Sequence, residues 1–314
     1  MKVAVLDAST LGNDIKLNAL TDLYETTVYD STSTEEISKR AKEADVLVLN
    51  KIKINKETLK GSLPRLICLA ATGYDNVDLD FCRKNNIAVS NVVGYSTDSV
   101  AQLTVGIAME LALHLQEYTD FVRSGKYTKS NVANRLSPTF YELNGKTWGI
   151  IGYGNIGKKV AKIAESFGCK ILVNKRTPVV EYDCVSVDEI CSSADIISVH
   201  TPLTKETRDL ISYPQIELMK SNAILINVAR GAVCNEQALT DAILNNKIGG
   251  LGIDVYTKEP FDTEHPFNKI IDHPNVCLTP HMAWGAYEAR LRCIDEIALN
   301  IKAFEKGEKR NRVD

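Results

Sequence analysis

The chain of 314 residues carries a net charge of −3, a pI near 6.0 and no run of five like charges, so neither nucleic acid nor an acidic membrane surface is expected as its main partner. Its length suffices for two ordinary domains with substantial cores. The eight cysteines (Cys68, Cys82, Cys169, Cys184, Cys191, Cys234, Cys277, Cys293) contain no C-x-x-C pair and sit mostly in apolar patterns, which fits buried hydrophobes in a reducing, cytoplasmic setting better than disulfides or metal ligands.

The N-terminal MKVAVLD enters a strand directly, without the layout of a signal peptide. From Val3, strand-like VAVLD, TTVYD, DVLVLN, RLICLAA and IAVSN alternate with helix-like stretches that include Leu17–Leu23 and Glu35–Ala44. Short Val/Ile/Leu-rich runs separated by helices predict a parallel sheet covered on both faces. In Ser96–Ser124, Val100, Leu103, Thr104, Ile107, Ala108, Leu111 and Leu115 follow i, i+3, i+4 spacing and predict one long buried helix, bridging two domains or lying at a subunit interface. Its least charged part, Ser99–Gln116, contains Glu110 and His114 and falls short of the ~20 apolar residues that span a bilayer. Gly125–Pro138 reads as a polar, structure-poor loop, of a length that is usually functional or exchanges contacts with another surface.

A second series starts at Trp148, with strands WGIIGYG, KILVNK, DIISVH, AILINVA, LGIDV and NVCLTP. Val160–Phe167, Ser186–Ser192, Gln215–Met219 and Asn235–Leu244 are the intervening helices. Six strands opening on a glycine-rich turn fit a doubly wound dinucleotide fold. Gly285–Glu305 is a final amphipathic helix expected to cross back onto the first unit.

The turn itself, WGIIGYGNIGK, has Gly152, Gly154 and Gly157 at G-x-G-x-x-G spacing where an apolar strand gives way to a helix, and Asn155 and Ile156 between the last two glycines are counted with them as cofactor-binding positions. The first glycine allows a tight turn, the second lets backbone approach a pyrophosphate, and the third lets helix pack closely on strand. Phosphate then rests on the free N–H groups of the helix start. A glycine-rich turn in an unrelated fold is the alternative, and the strand and helix on either side argue against it.

Ligands of open parallel sheets sit at the carboxyl ends of strands. Three such exits carry ionisable groups of different kinds: Arg230 after ILINVA, Glu259 shortly after GIDV, and His281 directly after CLTP. The set suits reduction of a 2-oxo acid. Arg230 can hold a carboxylate bidentately, His281 can protonate the carbonyl as hydride arrives, and Glu259 can orient the imidazole. Singly, each is as readily a surface charge, a loop residue or a structural histidine; it is their place on successive exits of one sheet that points to chemistry.

At these residues the chain resembles the D-isomer-specific 2-hydroxyacid dehydrogenases. NVARGAVCNEQAL, LGIDVYTKEP and LTPHMAW are similar to the family's signature blocks, GYGNIGKKVAKIAESFG to its nucleotide-binding turn, and ATGYDNVDLD extends the likeness into the first unit. The resemblance implies that Arg230 binds substrate, that His281 is the acid/base and that Glu259 is its partner. It implies an α/β architecture of two doubly wound parallel-sheet domains, a Rossmann-type cofactor domain (98–284) inserted into a flavodoxin-like substrate domain (1–97 and 285–314). A cleft that closes on ligand and a homodimer through Ser96–Ser124 are implied as well. Thr201 and Pro202, Val228 and Ala229, and Asp254 are cofactor-lining positions by the same resemblance. VVGYSTDSVAQLT, LVLNKIKINKETL and HMAWGAYEAR draw the chain towards glycerate dehydrogenases, also called hydroxypyruvate reductases. The expected reaction is therefore hydroxypyruvate to D-glycerate, with glyoxylate, pyruvate and branched-chain 2-oxo acids as alternatives. A non-catalytic nicotinamide sensor is the rival reading, which the complete Arg230, Glu259 and His281 set disfavours.

Other candidates are open. The N–H groups of Ala71-Thr72-Gly73 follow a strand and can cradle a carboxylate, although Gly73 is equally plain turn chemistry. Lys51 follows DVLVLN and either reaches substrate or is a solvated charge. About 20 residues after the glycine turn, where an NAD site usually places Asp or Glu, the chain reads Lys175-Arg176. Two cations there favour NADP(H) over NAD(H), unless they too are only solvated. His200 is expected to be a core or cofactor-contacting residue, and His114, His265 and His273 have no partner pattern in the sequence. No metal site is expected.

Overall fold

The computed structural model describes residues 1–177 and 179–314, which divide into two compact units, 1–96 with 284–314, and 97–283. In the first unit the order is β1 (Lys2–Val5), α1 (Asn18–Thr21), β2 (Glu25–Val28), α2 (Thr34–Lys42), β3 (Val46–Leu49), α3 (Lys56–Leu59), β4 (Leu66–Leu69), α4 (Leu79–Lys84) and β5 (Ala88–Ser90). The strands pair in parallel in the order β2-β1-β3-β4-β5, the flavodoxin-like arrangement. Because side chains alternate across a strand, Val46, Val48, Leu66 and Cys68 enter one core while Leu47, Leu49, Ile67 and Leu69 enter another on the opposite face.

The second unit opens with α5 (Thr97–Leu113), α6 (Leu115–Arg123) and α7 (Lys126–Lys129). There follow β6 (Thr147–Ile151), α8 (Asn155–Ser166), β7 (Lys170–Asn174), β8 (Asp183–Cys184), α9 (Val187–Ser193), β9 (Ile196–Val199), α10 (Tyr213–Leu218), β10 (Ile224–Asn227), α11 (Glu236–Leu244), β11 (Gly250–Ile253) and β12 (Val276–Leu278). The sheet is parallel throughout, in the order β12-β11-β10-β9-β6-β7-β8. Strand order reverses between β6 and β9, which is the switch point where doubly wound sheets take their ligands. Ile197, Val199, Leu225, Leu251 and Ile253 form one core with residues of α9, α10 and α11. On the other side α5 packs against α8, β10 and β11. After Ala283 the chain re-enters the first unit as α12 (Tyr287–Glu305), whose buried Ala289, Cys293 and Ile297 close the core containing Val46 and Val48.

Four details depart from the sequence reading. The single helix expected over Ser96–Ser124 is broken at His114, which is left-handed (φ 52°, ψ 41°), and α6 beyond it has no buried residue. The Glu110 carboxylate accepts the Gln116 N–H (2.8 Å), a side-chain partner for the start of the second helix. Gly125–Pro138 is not wholly irregular, since it holds α7. The second sheet has a seventh strand, the two-residue β8, and Phe167, expected on the apolar face of α8, is an exposed C-cap.

Candidate active site

At the exit of β6, Gly152 has φ +98°, and a Cβ there would sit 2.6 Å from the Thr201 backbone nitrogen. Glycine is thus required both by conformation and by the close approach of the β9 exit. A Cβ on Gly157 would strike the Gly152 carbonyl oxygen, whereas one on Gly154 would meet nothing within 4 Å. The three positions therefore differ as their expected tasks differ: turn, open approach and tight packing. Gly154 is the N-cap of α8 and, among the described residues, no side chain caps that helix start. Asn155 and Ile156 form its first turn, leaving an exposed set of N–H donors suited to a pyrophosphate.

Lys175 and Arg176 follow β7 and are both exposed. Thr201 and Pro202 follow β9, and Val228 and Ala229 follow β10. His200 lies beside the glycine turn. Its Nε2 is 3.0 Å from Ser198 Oγ, which accepts the Trp148 indole N–H (2.9 Å), while its Nδ1 is buried without a hydrogen-bond partner among the described residues. Burial depresses its pKa to about 3, so the imidazole is neutral at ordinary pH.

The exits of β10, β11 and β12, three adjacent strands, carry the ionisable groups. Arg230 is extended (φ −149°, ψ 139°) and its guanidinium donates to the Ala229 carbonyl (2.8 Å). Asn227 fixes this turn, accepting the Ala229 N–H (3.1 Å) and donating to the Arg230 carbonyl (2.9 Å). Glu259 and His281, 22 residues apart in sequence, meet at 2.6 Å between Oε2 and Nδ1. The other Glu259 oxygen accepts the Tyr256 N–H (3.0 Å), and the Tyr256 hydroxyl donates to the Thr279 carbonyl (2.9 Å), so one residue ties both loops of the pair. His281 itself is left-handed (φ 53°), a conformation costly for a residue with a Cβ unless its surroundings impose it.

Asp254 supplies part of that imposition. Expected as a cofactor-lining residue, it is fully buried, and its carboxylate accepts from Thr279 Oγ1 (2.6 Å), Met282 N (2.9 Å) and Ala283 N (2.9 Å). Those partners flank His281 on both sides. Burial raises the Asp254 pKa against the opposing pull of these hydrogen bonds.

Lys51, Thr72 and Gly73 belong to the first unit, just beyond β3 and β4. The Lys51 and Asn50 N–H groups donate to the buried Asp7 carboxylate at 2.7 and 3.0 Å, and Thr72 Oγ1 donates to the Val92 carbonyl (2.8 Å). Asn76 links this edge, donating to the Asn50 and Ile52 carbonyls at 3.2 and 2.8 Å. Asp7, Asn76 and Tyr256 were not singled out as site residues from the sequence, although Asn76 lies within ATGYDNVDLD and Tyr256 within LGIDVYTKEP. Among the described residues no group of three or more His, Cys, Asp or Glu is placed to hold a metal ion, and no helix is long and apolar enough to cross a membrane.

A doubly wound sheet whose first turn is open to a pyrophosphate, with an acid–base pair on neighbouring strand exits, is the architecture of a dinucleotide-dependent oxidoreductase. The family described as D-isomer specific 2-hydroxyacid dehydrogenase, NAD binding domain, matches residues 105–283. The glycerate dehydrogenase of Methylorubrum extorquens is 36% identical over 316 residues, covering 100% of this chain and 99% of that protein. The glyoxylate reductase of Thermococcus litoralis is 40% identical over 280 residues, 86% of this chain and 83% of its own. In structure, D-lactate dehydrogenase from Aquifex aeolicus, complexed with NAD and lactic acid, superposes with a TM-score of 0.85 at 32% identity, covering 98% of this chain and 96% of that one. The chain belongs to the D-isomer specific 2-hydroxyacid dehydrogenase family, nicotinamide-dependent oxidoreductases that interconvert 2-oxo acids and D-2-hydroxy acids.

Proposed function

We propose that the protein reduces hydroxypyruvate to D-glycerate, with His281 as proton donor, Glu259 as its orienting partner and Arg230 as the group that holds the substrate carboxylate. The observation that carries the chemistry is the 2.6 Å His281–Glu259 contact on the strand exits next to Arg230. The carboxylate on Nδ1 fixes the orientation of the ring, and Nε2 is the nitrogen we assign to proton transfer. Arg230, anchored by Asn227 and Ala229, offers a planar fork that matches a carboxylate. When bound, the nicotinamide supplies the hydride that the carbonyl carbon accepts. Gly152, Gly154, Asn155, Ile156 and Gly157 would hold its pyrophosphate, with Thr201, Pro202, Val228 and Ala229 lining the site, and Lys51, Thr72 and Gly73 are assigned to the substrate.

Similarity to a glycerate dehydrogenase over the whole chain supports hydroxypyruvate. Higher identity to a glyoxylate reductase over a shorter span favours glyoxylate as the second reading. Lys175 and Arg176, exposed where an acid would repel a 2′-phosphate, support NADPH as the preferred cofactor. The exposed Leu115 and Val122 of α6 support assembly as a homodimer through that region, which light scattering would test. Initial rates with hydroxypyruvate, glyoxylate, pyruvate and 2-oxoisocaproate, each with NADH and NADPH, test the substrate reading. A kcat/KM highest for hydroxypyruvate with NADPH is expected, and a higher value for another acid would replace it.

A further inference from the structure

Behind the Glu259–His281 pair lies a second one. His265 Nε2 is 3.1 Å from Glu236 Oε2, and the two side chains are only 7% and 12% exposed. The His265 ring is enclosed by Phe261, Phe267 and Tyr256, with ring centroids at 4.7, 5.0 and 6.2 Å. Its Nδ1 accepts the Phe267 N–H (3.3 Å), so the proton sits on Nε2 and is donated to Glu236. The remaining Glu236 oxygen accepts the Thr257 N–H at 2.7 Å.

Thr257 follows Tyr256, whose own N–H is held by Glu259. The N–H groups of two consecutive residues are therefore claimed by two glutamates, one from the start of α11 and one from the proposed proton-transfer pair. The same peptide presses on Gly231, next to Arg230: a Cβ on Gly231 would collide with Tyr256 C and Thr257 N. A shift of this peptide would be felt at once by the Glu259 carboxylate and by the Arg230 turn, and a buried hydrogen-bonded pair is stiff enough to prevent one.

We propose that Glu236 and His265 are positioning residues: they lock the Tyr256–Thr257 peptide, and through it hold Glu259 against His281 in the proton-transfer step. This rests on the reading of His281 and Glu259 given above. Glu236→Gln keeps the side chain's shape but cannot accept from both Thr257 N–H and His265 Nε2–H in the present tautomer. It should lower kcat about tenfold to a hundredfold, the scale of a misplacement near 1 Å, while nicotinamide affinity and the KM for the 2-oxo acid stay within about twofold. His265→Phe, which preserves the aromatic packing and removes the donor, should lower kcat in the same way. The decisive measurement is a double-mutant cycle. In a Glu259→Gln background, adding Glu236→Gln should change kcat by less than about twofold, because the group it positions is already altered. An equal loss in both backgrounds, or no loss from Glu236→Gln alone, overturns the proposal. If Glu259→Gln by itself leaves turnover intact, the reading of the pair at Glu259 and His281 falls and this inference with it. If Glu259→Gln lowers turnover and Glu236→Gln does not, only the inference falls.

Discussion

The two halves of the seven-stranded sheet use their carboxyl edges in opposite ways. At β6 the exit is made of glycine and backbone N–H groups, and what matters is the side chain that is missing. At β10, β11 and β12 the exits carry Arg230, Glu259 and His281: Arg230 is held within its own turn, and Glu259 and His281 hold each other across two loops. A site that binds by backbone is harmed by adding atoms, and one that works by ionisable side chains is harmed by removing them.

That contrast can be broken at four points. His281→Ala should have the largest effect, lowering kcat by about 10²–10⁴-fold, the usual worth of a general acid, with nicotinamide binding unchanged by fluorescence titration; full turnover would remove His281 from the reaction. Arg230→Gln should cut kcat/KM for the 2-oxo acid by about a hundredfold, as truncation of a charged hydrogen-bonding partner does, again sparing the cofactor. Gly152→Ala is the opposite experiment. It should cost about 1–3 kcal/mol for a left-handed residue, read as a lower melting temperature together with weaker nicotinamide binding, and an alanine variant of wild-type affinity would sink the account of the turn. The smallest change is expected from the pair Lys175→Ala and Arg176→Ala, which should shift the NADPH-to-NADH ratio of kcat/KM by about tenfold, in line with one or two charge-assisted hydrogen bonds. An unmoved ratio would make both residues solvated charges.

Much of the fold was legible because both sheets are parallel and their inner strands are buried, so those strands are written as apolar runs such as VLVL and LICL. What escaped has physical reasons. β8 is two residues long and has no periodicity to detect. The break at His114 is invisible to spacing, because Leu115 continues the apolar repeat of α5 after the backbone has turned left-handed. At the candidate site, the strand exits and the Glu259–His281 partnership could be named from sequence, but the contacts behind them could not. Glu236 and His265 stand 29 residues apart, and Asp254 reads like any acid after a strand until its three donors are seen.

Asp254 also bears on stability. Its folded-state pKa lies above the ordinary carboxylate value, so the folded protein binds that proton more tightly than an unfolded chain does. The contribution of this group to folding is therefore fullest below pH ~3.9 and declines as the pH rises through the raised value. Once ionised, the carboxylate is a charge inside the core that works against folding, and the three donors it gathers all belong to the turn that bears His281. Stability is surrendered at the end of β11, and what is obtained for it is the fixed place of one imidazole.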